Sequence, residues 1–266
     1  MDLAKHCMVE PGSKFRLKHR DPDDTFGYKR NDKAHEKTLQ RLRELQHLLY
    51  ADKRYALLII LQALDAGGKD GTIRHVMSGV NPQGCEVVSF KAPTNEELAH
   101  DFLWRIHKAT PSRGNIGIFN RSHYEDVLIV RVHDLVPKEV WHKRYRQIND
   151  FEQMLHENGV TILKFFLHIS KEEQRKRFEA RIQDSSRNWK LSLPDFEERQ
   201  HWDNYSEAYE EAIRKCSTDW APWYVIPSNK KWFRNHLIAE SVVRALDRMR
   251  LKYPAPTVDM SKVVLE

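Results

Sequence analysis

The stretch LIILQALDAGGKDGTIRHV, residues 58–76, places an aspartate and a Gly-Gly-Lys sequence directly after a run of apolar residues. The apolar run predicts a buried strand, and the Gly-rich segment predicts a tight turn into a helix. Gly67, Gly68 and Gly71 around Lys69 would let backbone N–H groups surround phosphate oxygens, while the helix N-terminus adds partial positive charge. Lys69 would supply a point charge to a transferred phosphoryl group. The stretch therefore predicts a phosphate-binding loop.

The loop departs from the usual P-loop pattern, G-x-x-x-x-G-K-S/T, at two positions. Ala63 stands where the first glycine belongs, and Asp70 stands where the Mg²⁺-binding hydroxyl belongs. The metal-binding role must then pass to another residue, and Asp65 inside the loop is the obvious carboxylate. Taken by itself, the stretch also allows an ordinary Gly-rich turn with an exposed lysine.

Apolar and helical segments alternate along the rest of the chain. Strands are predicted at residues 56–64, 86–90, 115–120, 161–168 and 223–227. Helices are predicted at residues 32–52, 69–78, 95–108, 137–158, 171–182, 195–215 and 231–251. This alternation indicates βαβ units and a parallel sheet covered on both faces. Ligands of such sheets bind at the carboxyl ends of the strands.

A second group of charged residues follows the predicted strand that ends at Asn120. Arg121, Glu125 and Asp126 come directly after it. In P-loop kinases the neighbouring strand typically ends in an acidic residue that orients Mg²⁺, and here that place holds Asn120. Arg121 is suited to a bidentate contact with phosphate. The alternative is an ordinary charged loop between a strand and a helix.

A third group is the basic stretch RKRFEARIQDSSRNWK, residues 175–190. Arg177 and Arg181 are four residues apart and so lie on one helix face, where they would repel each other unless an anion lay between them. Such residues are expected in a lid that closes over the transition state of phosphoryl transfer. The alternative is a solvated helix balanced by the acidic residues Asp195, Glu197 and Glu198.

The composition favours a protein that attracts polyanions. The chain has 266 residues and a formal net charge of +6, although a modest basic excess is also typical of an ordinary solvated surface. No apolar run approaches the roughly 20 residues of a membrane-spanning helix, and the N-terminal stretch has no apolar region typical of secretion. Cys7, Cys85 and Cys216 lie far apart, which indicates reduced thiols and a cytoplasmic location.

These segments together resemble the polyphosphate kinase 2 family. The resemblance is found in LDAGGKDGTI at 64–73, in the stretch from FKAPTNEEL to VRVHDL at 90–135, and in FEARIQDSSRNWKLSLPDFEER at 178–199. The family's own form of the loop has aspartate after the lysine. NRSHYEDVLIVRVH, from Asn120, looks most like the short class III members, which phosphorylate nucleoside mono- and diphosphates; class I members more usually carry aspartate at that position.

The resemblance implies roles for individual residues. It implies a catalytic role for Asp65, Lys69, Arg121 and Arg181. It implies phosphate or polyphosphate binding by Ala66, Gly67, Gly68, Asp70, Gly71, Thr72, Arg74, Arg177 and Lys190. It implies nucleotide binding by Asn120, Glu125, Asp126 and Arg131. The expected metal ligands are Asp65 and Asp126, with Mg²⁺ as the cofactor and Mn²⁺ as its substitute.

We therefore expect a P-loop kinase-like three-layer α/β sandwich with a central parallel sheet of about five strands. A single domain is predicted over residues 1–266, with an N-terminal arm and helix at 1–54, a catalytic core at 55–252, a helical lid at about 171–200, and a tail at 253–266.

The predicted activity is reversible, Mg²⁺-dependent transfer of the terminal phosphoryl group of polyphosphate to AMP and ADP, with GMP and GDP as further acceptors. A homo-oligomer that binds neither nucleic acid nor membrane is expected. The alternatives are an ADP/GDP-specific polyphosphate kinase, an ATP-dependent nucleotide kinase, and a non-enzymatic nucleic-acid-binding protein.

Overall fold

A single parallel sheet lies at the centre of the fold. The computed structural model describes residues 3–186, 188–191 and 193–263, apart from the side chains of Lys190 and Met260. The strand order is β2-β3-β1-β4-β5, and all neighbouring pairs are parallel. The strands are β1 (Ala56–Gln62), β2 (Cys85–Ser89), β3 (Ile116–Asn120), β4 (Val160–His168) and β5 (Trp223–Pro227). The prediction of a parallel α/β sheet is confirmed.

Helices connect the strands and cover the sheet. They are α1 (Leu3–Cys7), α2 (Asp32–Asp52), α3 (Lys69–Val76), α4 (Asn95–Leu98), α5 (Trp104–Lys108), α6 (Ile129–Val132), α7 (Lys138–Glu157), α8 (Lys171–Gln183), α9 (Leu193–Glu198), α10 (Trp202–Cys216) and α11 (Lys231–Arg248). In the described part of the chain, no helix is long and apolar enough to cross a membrane.

Both faces of the sheet carry a hydrophobic core. β1 is buried along its whole length, which explains its continuous apolar run. Leu58 and Ile60 belong to a core shared with α7 and α10. Leu57 and Ile59 belong to the opposite core, shared with α2, α3 and α11. Because side chains alternate along a strand, β1 contributes to both cores, and the molecule has three layers.

Two helices predicted as continuous are interrupted. The helix predicted at 95–108 is α4 followed by α5, because the carboxylate of Asp101 accepts a hydrogen bond from the N–H of Leu103 at 3.0 Å and starts a new turn. The helix predicted at 195–215 is α9, a short 3-10 turn at Arg199–His201, and α10. The short helices α1 and α6 were not predicted, since neither is long enough to show a helical period.

The N-terminal segment lies against the carboxyl end of the sheet and β5. Met8 forms an isolated antiparallel bridge with Tyr224. The carbonyl of Arg20 lies 3.0 Å from Nε2 of His168, and Pro22 O accepts the N–H of Asn229 at 3.1 Å. Segment 3–31 is attached to the rest of the fold through these backbone contacts and through buried apolar side chains such as Val9 and Phe15.

Candidate phosphate-transfer site

A large cavity opens at the carboxyl ends of β1 and β3. Its volume is about 1690 Å³, and its walls come from loop 63–68 and from α3, α8 and α11. Residues 65–71 all line it, as do Asn120 and Arg121. The basic residues along its walls include Lys69, Arg74, Lys91, Arg121, Lys176, Arg181 and Lys231. A cavity with such walls attracts an anion.

The loop after β1 has the backbone geometry of a tight turn into a helix. β1 ends at Gln62 and α3 begins at Lys69. Ala66 has a φ of +59° and Gly68 a φ of +104°, and Gly68 is the residue that precedes α3. At Gly68 a positive φ is easily adopted because glycine has no Cβ. The predicted turn is thus present, and it directs the N-terminus of α3 into the cavity.

Lys69 is buried in this loop. It is 9% exposed, and its Nζ donates a hydrogen bond to the carbonyl of Ala63 at 2.8 Å. Burial lowers the pKa of Lys69, and nearby Asp65 opposes that shift. A desolvated ammonium group that lines the cavity is well suited to contact an incoming anion, which would replace part of the lost hydration.

Thr72 differs from its neighbours on α3. It is 1% exposed, and its hydroxyl donates to the carbonyl of Gly68 at 3.0 Å. Asp70, Gly71 and Arg74 instead line the cavity. In this structure Thr72 holds the first turn of α3 rather than facing the cavity.

The end of β3 approaches the loop through two side-chain contacts. Arg121 Nη2 donates to Asp65 Oδ1 at 3.1 Å, and Asn120 Nδ2 donates to Asp70 Oδ1 at 2.8 Å. Parallel pairing of β1 with β3 places Asn120 opposite Leu61, one residue before the end of β1. Residues that are 50 and 56 positions apart in the sequence are thereby brought together, as the sequence predicted.

The other predicted nucleotide-binding residues lie further from the loop. Asp126 forms an ion pair with Arg144 of α7 at 3.0 Å, and burial raises the pKa of its carboxyl to about 6. Arg131 forms an ion pair with Glu211 of α10 at 2.6 Å. Glu125 lies closer: burial raises its pKa, while the charges of Arg121 and Lys69 act in the opposite direction. The charge of Glu125 therefore interacts with the charges of Lys69 and Arg121 beside the loop.

The predicted lid residues have different positions. Arg181 lines the cavity, and its guanidinium lies 5.8 Å from the centre of the Phe178 ring. Arg177 is 8% exposed and donates to the backbone carbonyls of Ala66, Gly67 and Ser228. The side chain of Lys190 lies outside the described residues. In this structure Arg177 therefore contacts the backbone of the loop, whereas Arg181 lies on the wall of the cavity.

Sequence analysis missed Arg234, a buried residue of α11. It is 2% exposed and donates from Nη1 to the carbonyl of Gly67 at 3.4 Å. The available signal was its position in KKWFRN, shortly after the carboxyl end of β5. Nothing in that stretch indicates that Arg234 reaches the loop after β1.

A buried ionic network lies beneath the turn that follows β3. Lys164 of β4 donates to Glu152 of α7, to the hydroxyl of Tyr124 at 2.9 Å, and to the carbonyl of Cys216 at 2.6 Å. Nε2 of His123 lies 3.2 Å from the same carboxylate. All four side chains are fully buried. The network ties the 3-10 turn His123–Val127 to the sheet and to α7.

The oxygen ligands near the loop fit a hydrated divalent metal. Among the described residues, no three histidine, cysteine or acidic side chains converge as a ready-made metal site. Mg²⁺ usually keeps several waters and takes one or two carboxylates together with substrate phosphates. Asp65 in the loop and Asp70 in the first turn of α3 both line the cavity. The donor set is thus compatible with a metal that arrives with the phosphates.

The fold and the cavity define the class of protein. A parallel α/β sheet with a phosphate-binding loop after its central strand, lined with cations, is typical of P-loop kinases. The model of the polyphosphate kinase 2 (PPK2) family matches residues 27–254. The chain therefore belongs to the polyphosphate kinase 2 family, and it is a phosphotransferase that moves phosphate between polyphosphate and nucleotides.

Similar proteins support this assignment along nearly the whole chain. An AMP/ADP-polyphosphate phosphotransferase of Meiothermus ruber is 52% identical, over 98% of this chain and 100% of its own. An ADP-polyphosphate phosphotransferase of Rhodopseudomonas palustris is 50% identical, over 86% of this chain and 83% of its own. The crystal structure of polyphosphate kinase 2 from Arthrobacter aurescens TC1 has a TM-score of 0.93 and 43% identity, and the match covers 98% of this chain and 94% of that one. Kinases of this kind generally need a divalent metal.

Proposed function

We propose that this enzyme transfers the terminal phosphoryl group of polyphosphate, reversibly, first to AMP and then to ADP. The proposal rests on one observation. Asp65, Lys69 and Arg121 line the same cation-rich cavity, and Arg121 contacts Asp65. The name of the Meiothermus ruber relative, identical at 52% of positions, favours both acceptors. GMP and GDP are proposed as further acceptors, because the phosphate-binding residues do not depend on the base.

The acceptor is a nucleotide phosphate oxygen, already ionised at neutral pH, so the reaction needs no strong general base. Catalysis then depends on in-line positioning and on neutralising charge spread over the transferred group. Lys69 and Arg121 are proposed to contact the transferred group, and the N-terminus of α3 to bind its oxygens. Arg181, and Lys190 from the loop after α8, are proposed to approach from the lid.

The proposed cofactor is Mg²⁺, with Mn²⁺ as its substitute. Asp65 is the proposed carboxylate ligand, because it belongs to the loop and lies beside Arg121. When bound, the metal would supply positive charge that reduces the negative charge of the phosphates. Asp126 was also predicted as a ligand, but its ion pair with Arg144 must first open. A metal-binding role is therefore better supported for Asp65.

The test is an incubation of pure protein with Mg²⁺ and long-chain polyphosphate, with AMP in one tube and ADP in another. Chromatography of the nucleotides should show ADP and then ATP from AMP. Product in the ADP tube alone would indicate a diphosphate-specific enzyme. Transfer with ATP as donor, and none with polyphosphate, would overturn the proposal and indicate an ATP-dependent nucleotide kinase.

Three further expectations accompany the proposal. A homo-oligomer, the absence of nucleic-acid binding and a cytoplasmic location remain predictions. The cysteines Cys7, Cys85 and Cys216 are free thiols, which suits a reducing compartment. The division into arm, core, lid and tail also remains a prediction, and limited proteolysis with and without polyphosphate would test it.

A further inference from the structure

Two buried arginines from different helices meet beneath the phosphate-binding loop. Nη1 of Arg177 donates to the carbonyls of Ala66 and Gly67 at 2.9 and 3.0 Å. Nη1 of Arg234 donates to the same carbonyl of Gly67 at 3.4 Å. A Cβ on Gly68 would lie 2.1 Å from Nη1 of Arg234. The guanidinium of Arg234 therefore occupies space that any other residue at position 68 would need.

The charges of the two arginines are balanced differently. Arg177 forms an ion pair with Glu173 at 2.7 Å. Among the described residues, Arg234 donates to two neutral oxygens, the side-chain oxygen of Asn235 and the carbonyl of Gly67. Within the described part of the chain, no carboxylate forms an ion pair with Arg234. Burial and the charge of Arg177 lower the pKa of Arg234 to about 10, so it stays charged at neutral pH.

A buried cation without a counter-charge is costly unless an anion is supplied from elsewhere. Arg234 lines the same cavity as Lys69 and Arg121. Because the cavity opens to solvent beside the loop, a bound phosphoanion is the counter-charge that the fold itself does not provide. The unpaired charge of Arg234 thus raises the free energy of the unliganded enzyme, and binding of an anion would remove this penalty.

The contacts of Arg177 and Arg234 with the carbonyl of Gly67 also fix the direction of the N–H of Gly68. The peptide between Gly67 and Gly68 is trans, as are all peptides described. In a planar trans peptide, C=O and N–H point to opposite sides. Since both arginines bind the carbonyl of Gly67, the N–H of Gly68 points away from them. It joins the N–H groups of the first turn of α3, which have no acceptor within the helix and are suited to bind phosphate.

We propose that Arg234 is a positioning residue of the phosphate-binding loop, which holds the 67–68 peptide in its anion-binding orientation and supplies an uncompensated charge to a bound phosphoanion. The inference rests on the proposed function only in assuming that the cavity binds phosphoanions. The anion is either the end of polyphosphate or a nucleotide phosphate, because both offer the same oxygens.

The test is thermal unfolding of Arg234→Met and Arg234→Lys at increasing concentrations of inorganic tripolyphosphate or ADP. Arg248→Met is the matched control, because Arg248 lies on the same helix and is exposed. Arg234→Met should unfold at the parent's temperature or above it without anion, yet bind tripolyphosphate, ADP or both at least about 10-fold more weakly. Arg234→Lys should retain the fold but recover only part of the affinity, because it lacks the planar fork.

A purely structural role predicts the opposite pattern. The proposal is overturned if Arg234→Met unfolds at a lower temperature without anion and binds both anions as the parent does. It is also overturned if Arg234→Met does not fold while Arg234→Lys binds as the parent does. Weakened binding of tripolyphosphate alone, or of ADP alone, identifies which substrate supplies the anion. Failure of the proposed function would appear separately, as a parent enzyme that binds tripolyphosphate but transfers no phosphoryl group from polyphosphate.

Steady-state kinetics provide a second readout. A positioning residue that acts through substrate binding should raise the KM of each substrate, polyphosphate or nucleotide, whose binding the variant weakens. An equal decrease in the apparent kcat for both substrates, with each KM unchanged, would reflect a smaller amount of folded enzyme. That result would overturn the proposal.

Discussion

Two lysines buried in this enzyme have opposite surroundings. Lys164, in the sheet, is fully buried and contacts a carboxylate, a phenol and a carbonyl. Lys69, in the loop, is 9% exposed and donates to the carbonyl of Ala63. Lys164 is neutralised inside the protein, whereas Lys69 lines an open cavity.

The two buried arginines beside the loop, Arg177 and Arg234, differ in the same way in their carboxylate partners. Arg234 lacks a carboxylate partner among the described residues, as its contacts with Asn235 and Gly67 show. A buried cation with an internal counter-charge contributes to the specificity and integrity of the fold, and its loss is destabilising. A buried cation without one is costly to the free protein unless a bound anion supplies the missing charge.

The same substitution at both lysines should separate the two roles most strongly. Lys69→Met should lower kcat/KM by about 1000-fold or more, while the unfolding temperature stays at or above that of the parent, because a desolvated charge is removed. Activity assays and calorimetry measure the two effects. A Lys69→Met enzyme with the parent's turnover would remove Lys69 from the mechanism.

Lys164→Met should instead destabilise the fold by about 3–5 kcal/mol, because it leaves Glu152 buried without its cation. Urea unfolding measures this loss. The double variant Lys164→Met with Glu152→Gln should recover part of the stability, since glutamine retains a hydrogen-bonding side chain without the charge. If Lys164→Met unfolded at the parent's urea concentration, the network would not be a structural counterpart to the loop.

A smaller effect is expected at Gly68. Gly68→Ala places a Cβ at a φ of +104° and against Arg234, so it should cost about 1–3 kcal/mol of stability and weaken tripolyphosphate binding. Gly12→Ala is the control, because Gly12 also has a positive φ, +71°, with nothing within 4 Å of its Cβ position. Equal tripolyphosphate affinity in the two variants would contradict the role given to the space beneath the loop.

The smallest effect concerns His123 in the balanced network. Burial lowers the pKa of His123 below its usual 6.5, although Glu152 opposes the shift. Below pH 6.5 the unfolded chain therefore binds more protons than the folded protein. For this reason the free energy of unfolding decreases as the pH falls. His123→Gln should reduce the proton uptake on unfolding between pH 6.5 and 4 by up to about one proton. The exposed His156 gives the control His156→Gln, and equal pH profiles for the two variants would disprove the assignment.

Sequence analysis succeeded where local pattern decides structure. The run before Asp65 predicted β1, and the Gly-rich segment predicted the turn into α3. Arg121 was placed near the loop because carboxyl ends of parallel strands share one edge. The prediction of one helix over 95–108 is wrong, because the chain makes a turn at Asp101, whose side chain accepts a hydrogen bond from the N–H of Leu103.

Partners supplied by distant helices were not predictable. The helical period placed Arg177 and Arg181 on one face, yet did not reveal that Arg177 lies under the loop. Asp126 follows β3 as a metal ligand would, but Arg144 from the next long helix pairs with it. Each case depends on how a helix packs, and single-sequence spacing does not contain that information.

The sequence by itself determined the parallel α/β sheet, the Gly-rich turn into α3 and the family, because these depend on short-range patterns and on motifs in a fixed order. Only the tertiary structure decided which buried cations are neutralised. Arg234 meets Gly67 across 167 positions of sequence, while Lys164 meets Glu152 on a neighbouring helix. Charge balance is a property of distances in space, and the packing of α7, α8 and α11 against one sheet sets those distances.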